Sequence, residues 1–353
     1  MKTIRRLSAV LLGIVFFISG ILKLMDPVGT SLIVGEYFNF FHLTFLRPLS
    51  WFTGVMIALV ETSTGAALIT GVWRKLVGLV SLILMASFTL VTLVLLIAKP
   101  DMDCGCFGEA VHLTHLQSFI KNIVLLLLWA LAFVHVGAEG EARKIKLVSF
   151  SIAEISILLF FLYSSLSIPL IDFTEFKPGT VISSYEDYDF TSEEKPLVLS
   201  FSDFNGEYAD SLLLEGKVIV ASVNNPAKLS AAKWKKISAE MKTAESRGFT
   251  ALVLAASSPS LISGQVSDPD ILSRTYFADR KQLLTLNRTN GGIVYVNDGQ
   301  IIAKWSANRM PDAEKLGSII ESDVAEVFSS EGGRSSFKFQ AFMLYVFAVM
   351  LLL

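Results

Sequence analysis

The sequence predicts an α-helical membrane bundle, then an α/β soluble domain, then a last hydrophobic helix. Three observations carry that reading. Of 353 residues, 52% are hydrophobic and only 18% charged, too apolar for an ordinary water-soluble enzyme. The apolar residues gather in runs of about 20, the helix length that crosses a hydrocarbon core of roughly 30 Å. From Asp172 onward Asp, Glu, Lys, Ser and Asn are interleaved among shorter apolar runs. Thirty basic against thirty-two acidic residues leave a net charge of -2, so there is no summed positive field for nucleic acid.

The long runs are Leu7 to Met25, Trp51 to Val72, Leu76 to Ala98, Ser118 to Val136 and Leu147 to Ile171, with a shorter one from Phe339 to Leu353. They divide the chain into a four-helix membrane domain (1–137), an inner loop with a fifth helix (138–171), a soluble domain (172–336) and a last helix (337–353). The first run follows Lys2, Arg5 and Arg6 but has no small-x-small cleavage site, which reads as a retained helix. Basic residues in short loops favour the cytoplasm, and Lys2/Arg5/Arg6, Arg74/Lys75 and Arg143/Lys144/Lys146 alternate as that rule requires. The N-terminus is therefore expected inside. Asp26 to Ser50, Lys99 to Gln117 and everything from Asp172 to about Ser336 are expected outside, as exposed loops and a domain.

In the soluble half, strand-like runs occur at Leu197 to Phe201, Lys217 to Ser222, Thr250 to Ala255, Gly292 to Val296 and Gln300 to Trp305. Leu229, Trp234, Ile237, Met241 and Ala244 recur at mostly helical spacing between the second and third, and Gly248 is a plausible stop. Asn297-Asp298-Gly299 reads as a hairpin turn, and Pro311 as the start of a closing helix through Leu316, Ile319, Ile320, Val324 and Val327. This order resembles a thioredoxin-like fold. Thioredoxins carry Cys-x-x-Cys at the start of their first helix, where this chain has Asn224-Asn225-Pro226-Ala227, and Asn290-Gly291-Gly292 stands where their cis-proline is expected. A binding or scaffolding domain without redox activity of its own is expected. Asn287-Arg288-Thr289 also fits a glycosylation sequon, a triplet common by chance.

The only two cysteines fall in one outer loop, Asp103-Cys104-Gly105-Cys106-Phe107-Gly108. A disulfide across one residue closes a small ring, which strains it and eases its reduction, while Gly105 tolerates the backbone such a ring needs. Two readings stand side by side: a labile thiol/disulfide pair exchanging electrons with a partner's thiols, and a structural role, either a loop clip or two thiols that never react. His112 and His115 follow, so Cys104, Cys106, His112 and His115 offer four ligands for a soft metal at a spacing that is not a standard finger. Lys23, at the outer end of the first helix, reads as a snorkelling side chain. Glu61 lies about ten residues from either end of the second run, where a carboxylate is expensive unless paired, protonated or facing a polar cavity. Lys23 is its nearest basic partner, roughly 9 Å away along the axis at 1.5 Å per residue. A structural ion pair and a proton or cofactor role both remain open for it. Glu154 reads as snorkelling to the inner face.

Together Phe17-x-Ser19-Gly20-x-x-Lys23-x-x-Asp26-Pro27, Glu61 with Gly65 and Gly71, the Cys-Gly-Cys loop with Phe107, and Lys121-Asn122 make residues 1–137 resemble the DoxX-like and methylamine-utilisation (MauE) membrane proteins. With the fifth helix and the outer domain, the whole resembles a DoxX-family group of Bacteroidetes. That resemblance implies a bacterial inner-membrane protein and, from the methylamine group, a role in maturing a periplasmic partner through its disulfides. The bundle also looks like the vitamin K epoxide reductase and disulfide-generating quinone reductases, although their Cys-x-x-Cys and further loop pair are absent here. Quinone is the cofactor this second likeness implies; the residues themselves imply none. The expected partners are the lipid bilayer and periplasmic protein thiols, with Cys104 and Cys106 reacting and Lys23, Asp26, Glu61, Gly105 and Phe107 supporting them. The rivals are a non-catalytic assembly scaffold and a metal-handling loop.

Overall fold

The computed structural model describes residues 2–134, 144–183, 196–266 and 268–352; the last two residues of the expected fourth run, 135 and 136, and the expected inner-loop residue Arg143 lie outside these. The chain forms two compact units, Met1–Ser165 with Phe339–Leu353, and Leu166–Lys338.

The first unit contains α1 (Lys2–Met25), α2 (Pro27–Phe40), α3 (Ser50–Thr70), α4 (Arg74–Ala98), a short strand β1 (Cys106–Glu109), α5 (His115–Phe133) and α6 (Lys144–Leu166). Among the described residues, five helical segments are long and apolar enough to cross a membrane: Thr3–Met25, Thr44–Thr70, Arg74–Ala98, His115–Phe133 and Lys144–Leu166. This is a multi-pass membrane protein.

Close approach of α1 to α3 is permitted by glycine on both sides. A Cβ on Gly20 would lie 2.7 Å from the Thr62 amide nitrogen, and one on Gly65 would lie 2.8 Å from the Gly13 carbonyl oxygen. Arg6, on the first turns of α1, donates to the Leu68 carbonyl at 3.0 Å and to that of Ile69, satisfying the open C-terminal end of α3. The α5 end is closed by a capping box between Thr114 and Gln117. Two polar groups within the spans pair across helices: Asn122 donates to Thr92 Oγ1 at 3.1 Å and Trp129 Nε1 to the Gly78 carbonyl at 2.9 Å.

Two expectations are corrected here. Asp26 to Ser50 is not an open loop: Asp26 caps α2 by accepting the Gly29 N–H at 2.9 Å, Pro27 occupies the first helical position, and a 3-10 helix follows at Thr44–Leu49. Its 14 residues are too few to span, so an apolar-run criterion passes over it. The fifth helix ends at Leu166 rather than Ile171, because Pro169 cannot continue it.

The second unit is a sheet between two cores. Its elements are β2 (Phe201–Ser202), β3 (Lys217–Val223), α7 (Ala231–Ser246), β4 (Thr250–Ala255), α8 (Pro259–Gln265), α9 (Pro269–Leu272), β5 (Thr275–Ala278), α10 (Arg280–Leu286), β6 (Gly292–Asn297), β7 (Gln300–Trp305), α11 (Ala313–Glu321) and the start of α12 (Val324–Leu352). Strand order is β2-β5-β4-β3-β6-β7. β3 runs parallel to β4 and antiparallel to β6, which hairpins into β7. Helices α7, α10 and α11 connect and close these strands in a thioredoxin-like arrangement.

Alternate residues feed opposite faces, as the two-residue period of a strand dictates. Ile219, Ala221, Val223 and Val253 pack with Trp234, Ile237 and Met241 of α7, whereas Val218, Val220, Leu252 and Leu254 pack with Leu283 and Leu286 of α10. Both faces being covered explains why these strands read as continuous apolar runs.

The first strand is shorter than expected, with Leu197 to Ser200 outside it, and β5 was not foreseen because four residues give too little pattern. The closing helix is not one element through Val327. Asp312 caps α11, which stops at Glu321, and α12 begins at Val324 and continues to Leu352, so the terminal helix is not confined to Phe339–Leu353. Its last turns belong to the first unit, where Phe342 stacks on Phe160 at 4.5 Å, Phe347 meets Phe17 edge-on at 5.2 Å, and Ser149 donates to the Val349 carbonyl at 2.6 Å.

Candidate functional site

The site forms where α1 ends. α1 carries Ser19 and Lys23 one turn apart on one face, and α3 carries Glu61 opposite them. Lys23 Nζ lies 2.6 Å from Glu61 Oε2 and 3.1 Å from Ser19 Oγ. Lys23 is 8% and Glu61 4% exposed, so Lys23 does not snorkel; at the C-terminal end of α1 the opposite charge of Glu61 holds it inside the bundle. The Phe88 ring lies 5.5 Å from the ammonium. Thr30 of α2 donates to the Lys23 carbonyl at 2.9 Å, joining the start of α2 to the end of α1.

The cysteine loop is fastened to this framework through its backbone. Ser19 Oγ donates to the Cys106 carbonyl and Tyr37 Oη to the Cys104 carbonyl, both at 2.6 Å. Gly105 sits at φ +58, and a Cβ there would lie 2.5 Å from Ile33 Cγ2, so both conformation and space select glycine. Burial, and then the negative charge of Cys106, Cys104, Asp103 and Glu36, push the Tyr37 phenol well above its usual range, keeping it a donor.

Both cysteines are free thiols. Cys104 is 5% exposed and Cys106 is half-buried. Burial raises the Cys104 thiol above its ordinary value; the Ser118 hydroxyl and Lys121 oppose that, and Cys106 and Asp103 reinforce it. Lys121 of α5 sits 4.9 Å from the centre of the Phe107 ring. Cys106 is therefore expected to alkylate first near neutral pH, with Cys104 catching up only as the pH rises above the ordinary thiol range. Peptide mass spectrometry after timed iodoacetamide labelling checks this, and equal rates at neutral pH would contradict it.

Cys104, Gly105, Cys106, Lys23, Glu61 and Lys121 all line one cavity of about 290 Å³. Its remaining walls are mostly apolar, including Ile33, Phe38, Phe41, Ile57, Phe88 and Val91. The arrangement sets two thiols beside a buried ion pair in a space near the lower end for small-molecule sites.

Other predicted residues go elsewhere. Asp26 is a helix cap. His112 Nδ1 contacts Asp103 at 3.0 Å and His115 Nε2 the Met102 carbonyl at 3.2 Å; among the described residues no three His, Cys, Asp or Glu side chains come together as a metal site. The four-ligand set is thus dispersed, two of its members being tied to local loop groups. Glu154 does not snorkel but accepts from Ser63 Oγ at 2.7 Å, bridging α6 to α3. Sequence reasoning missed Tyr37, whose helix was read as a loop; the Asp26-Pro27 cap was the available signal.

In the second unit, Asn225 and Asn290 exchange two hydrogen bonds, Asn225 N–H to Asn290 Oδ1 at 3.0 Å and Asn290 Nδ2 to the Asn225 carbonyl at 2.8 Å. They occupy the ends where thioredoxins carry thiols and proline. Asn287 is 1% exposed and donates to the Trp305 carbonyl at 3.1 Å, which removes the sequon as a glycan acceptor. A groove of about 450 Å³ beside β2, lined by Phe201, Tyr208, Phe277 and Asp279, has no thiol among its lining residues.

Comparison with known proteins agrees with the membrane half. Residues 1–135 match the sequence model of the family described as methylamine utilisation protein MauE. A curated relative, Protein TlpB of Flavobacterium psychrophilum, is 26% identical over 143 residues, covering 39% of this chain and 39% of the relative. The match thus spans well under half of that relative's length. No solved structure matches the chain.

Proposed function

We propose that this MauE-like membrane protein is a thiol–disulfide exchanger of the bacterial inner membrane, with its N-terminus in the cytoplasm and the Cys104/Cys106 loop facing the periplasm. The oxidised pair accepts two electrons and two protons from a partner's dithiol, leaving the partner with a disulfide and Cys104 and Cys106 as thiols. The pair then passes two electrons and two protons to a lipid-soluble quinone in the adjoining cavity, which leaves as the hydroquinone. The thioredoxin-like unit, lacking thiols of its own, recruits the partner. One observation carries this reading: the only two sulfhydryls in the chain line the same apolar cavity as a buried Lys–Glu pair. Half-buried Cys106 meets the partner: one partner thiolate attacks its sulfur and releases Cys104 as a thiol, and the partner's second thiol then resolves the mixed disulfide, forming the partner's disulfide and freeing Cys106.

Acid-quenched alkylation of cells tests it. The wild-type loop is expected as a mixture of thiol and disulfide that shifts toward thiol when respiratory quinone is depleted. Cys106→Ser and Cys104→Ser are each expected to abolish exchange, because either change removes the disulfide that the partner's dithiol reduces. A pair that stays wholly reduced under all conditions would overturn the exchange. A double serine variant that loses only protein level, with partner maturation intact, would favour a non-catalytic assembly role instead.

A further inference from the structure

We infer that Ser19 and Tyr37 are positioning residues that set the reduction potential of the Cys104/Cys106 pair by holding its backbone in the dithiol conformation. The inference rests on the cycling proposed above and adds what tunes it.

The clamp closes on both sides of Gly105. Tyr37 from α2 holds the Cys104 carbonyl and Ser19 from α1 holds the Cys106 carbonyl. The Gly105 carbonyl between them accepts the Gly108 N–H at 3.1 Å. The carbonyls of Cys104 and Gly105, which lie in the segment that a disulfide would close, and that of Cys106, which directly follows it, are therefore all fixed, while Ile33 crowds Gly105 from the side.

Ser19 is more than a local donor. It receives a hydrogen bond from the Lys23 ammonium, itself paired with Glu61, so its hydroxyl is polarised toward the loop. A continuous chain runs from Glu61 through Lys23 and Ser19 to the Cys106 carbonyl.

Closing a bond of about 2.05 Å between the two sulfurs forms a small ring that includes the Cys104–Gly105 and Gly105–Cys106 peptide units and pulls on the Cys106 carbonyl next to it. The backbone held here is that of two free thiols. Moving it toward the ring strains hydrogen bonds that the dithiol keeps, which weights the equilibrium toward dithiol and makes the disulfide a stronger oxidant. A pair tuned this way takes electrons readily from a partner.

The test equilibrates the full-length detergent-purified protein with mixtures of oxidised and reduced glutathione. Oxidised glutathione gains the two electrons and two protons that the thiols lose, giving two reduced molecules, and alkylation with mass spectrometry reads the ratio. Ser19→Ala and Tyr37→Phe are each expected to raise the equilibrium constant for disulfide formation about fivefold, one buried hydrogen bond's worth, where tenfold corresponds to roughly 30 mV. Ser19→Thr, which keeps the hydroxyl, is expected to restore the wild-type value. If one variant does not fold, the other reads the same quantity from a different helix. Unchanged constants in a wild-type protein that cycles, or a shift toward dithiol, would overturn the clamp alone. A wild type that forms no disulfide at any glutathione ratio would bring down the exchange reading itself.

Discussion

Lys23→Met is expected to destabilise the membrane bundle by about 3–5 kcal/mol, the range for removing one partner of a buried ion pair. The size follows from what remains. Glu61 is 4% exposed, and once the ammonium 2.6 Å away is gone its carboxylate has lost its ionic partner in an apolar setting. Glu61→Leu is expected to do comparable harm by stranding the ammonium. The double variant Lys23→Met/Glu61→Leu is expected to recover most of the loss, because well-packed apolar side chains often replace a buried pair at little net cost. Denaturation in detergent, followed by helical circular dichroism, measures all three. Single variants as stable as wild type would mean the pair is solvated in a way its burial denies. The double variant also separates fold from chemistry: it is expected to assemble but to lose the polarisation of Ser19, and with it the normal thiol equilibrium.

Gly65→Val is the second large effect, and it attacks the same site from a distance. At Gly65 a Cβ would lie 2.8 Å from both the Gly13 carbonyl oxygen and the Phe17 Cα, and backbone cannot swing aside as a side-chain tip can. Overpacking a well-filled interior costs about 1–3 kcal/mol, and Gly65→Ala is expected near the top of that range. Gly65→Val is expected to prevent the α1–α3 pair from seating at all. The consequence reaches the thiols, because α1 carries Ser19 and Lys23 while α3 carries Glu61. Faster alkylation of Cys104 in Gly65→Ala would report that shift. Gly264→Ala serves as the control, since a Cβ there meets nothing within 4 Å and the change is expected to be neutral or slightly stabilising. Equal effects at the two positions would refute the close-packing argument.

Much of this was legible in the sequence, for identifiable reasons. Membrane helices are long and apolar, so the five spans and their approximate places follow from a length criterion, and strands buried on both faces announce themselves as Val/Ile/Leu runs. Glu61 was legible because a carboxylate deep in an apolar helix is costly enough to demand an explanation. What was hidden was short or depended on direction. α2 is below spanning length, β5 has four residues, and the gap between α11 and α12 rests on Ser322-Asp323 within a stretch that reads as helical. Lys23 drew two readings, snorkelling and pairing with Glu61, because axial depth gives no rotation; the packed bundle decides for the pair. The Tyr37 and Ser19 bonds to the cysteine loop were unreadable for a related reason. They address backbone carbonyls, which every residue has, so no side-chain pattern marks their targets.

Arg6 is used twice. On the orientation proposed above, its charge beside the amino terminus is of the kind that favours the cytoplasmic side during insertion; as a guanidinium bonded to the carbonyls of Leu68 and Ile69 it finishes the end of another span. Orientation and docking are thereby written into a single side chain. A fusion at the leading end that crowds it would disturb biogenesis and assembly together, so epitope labels are better carried on the water-exposed half.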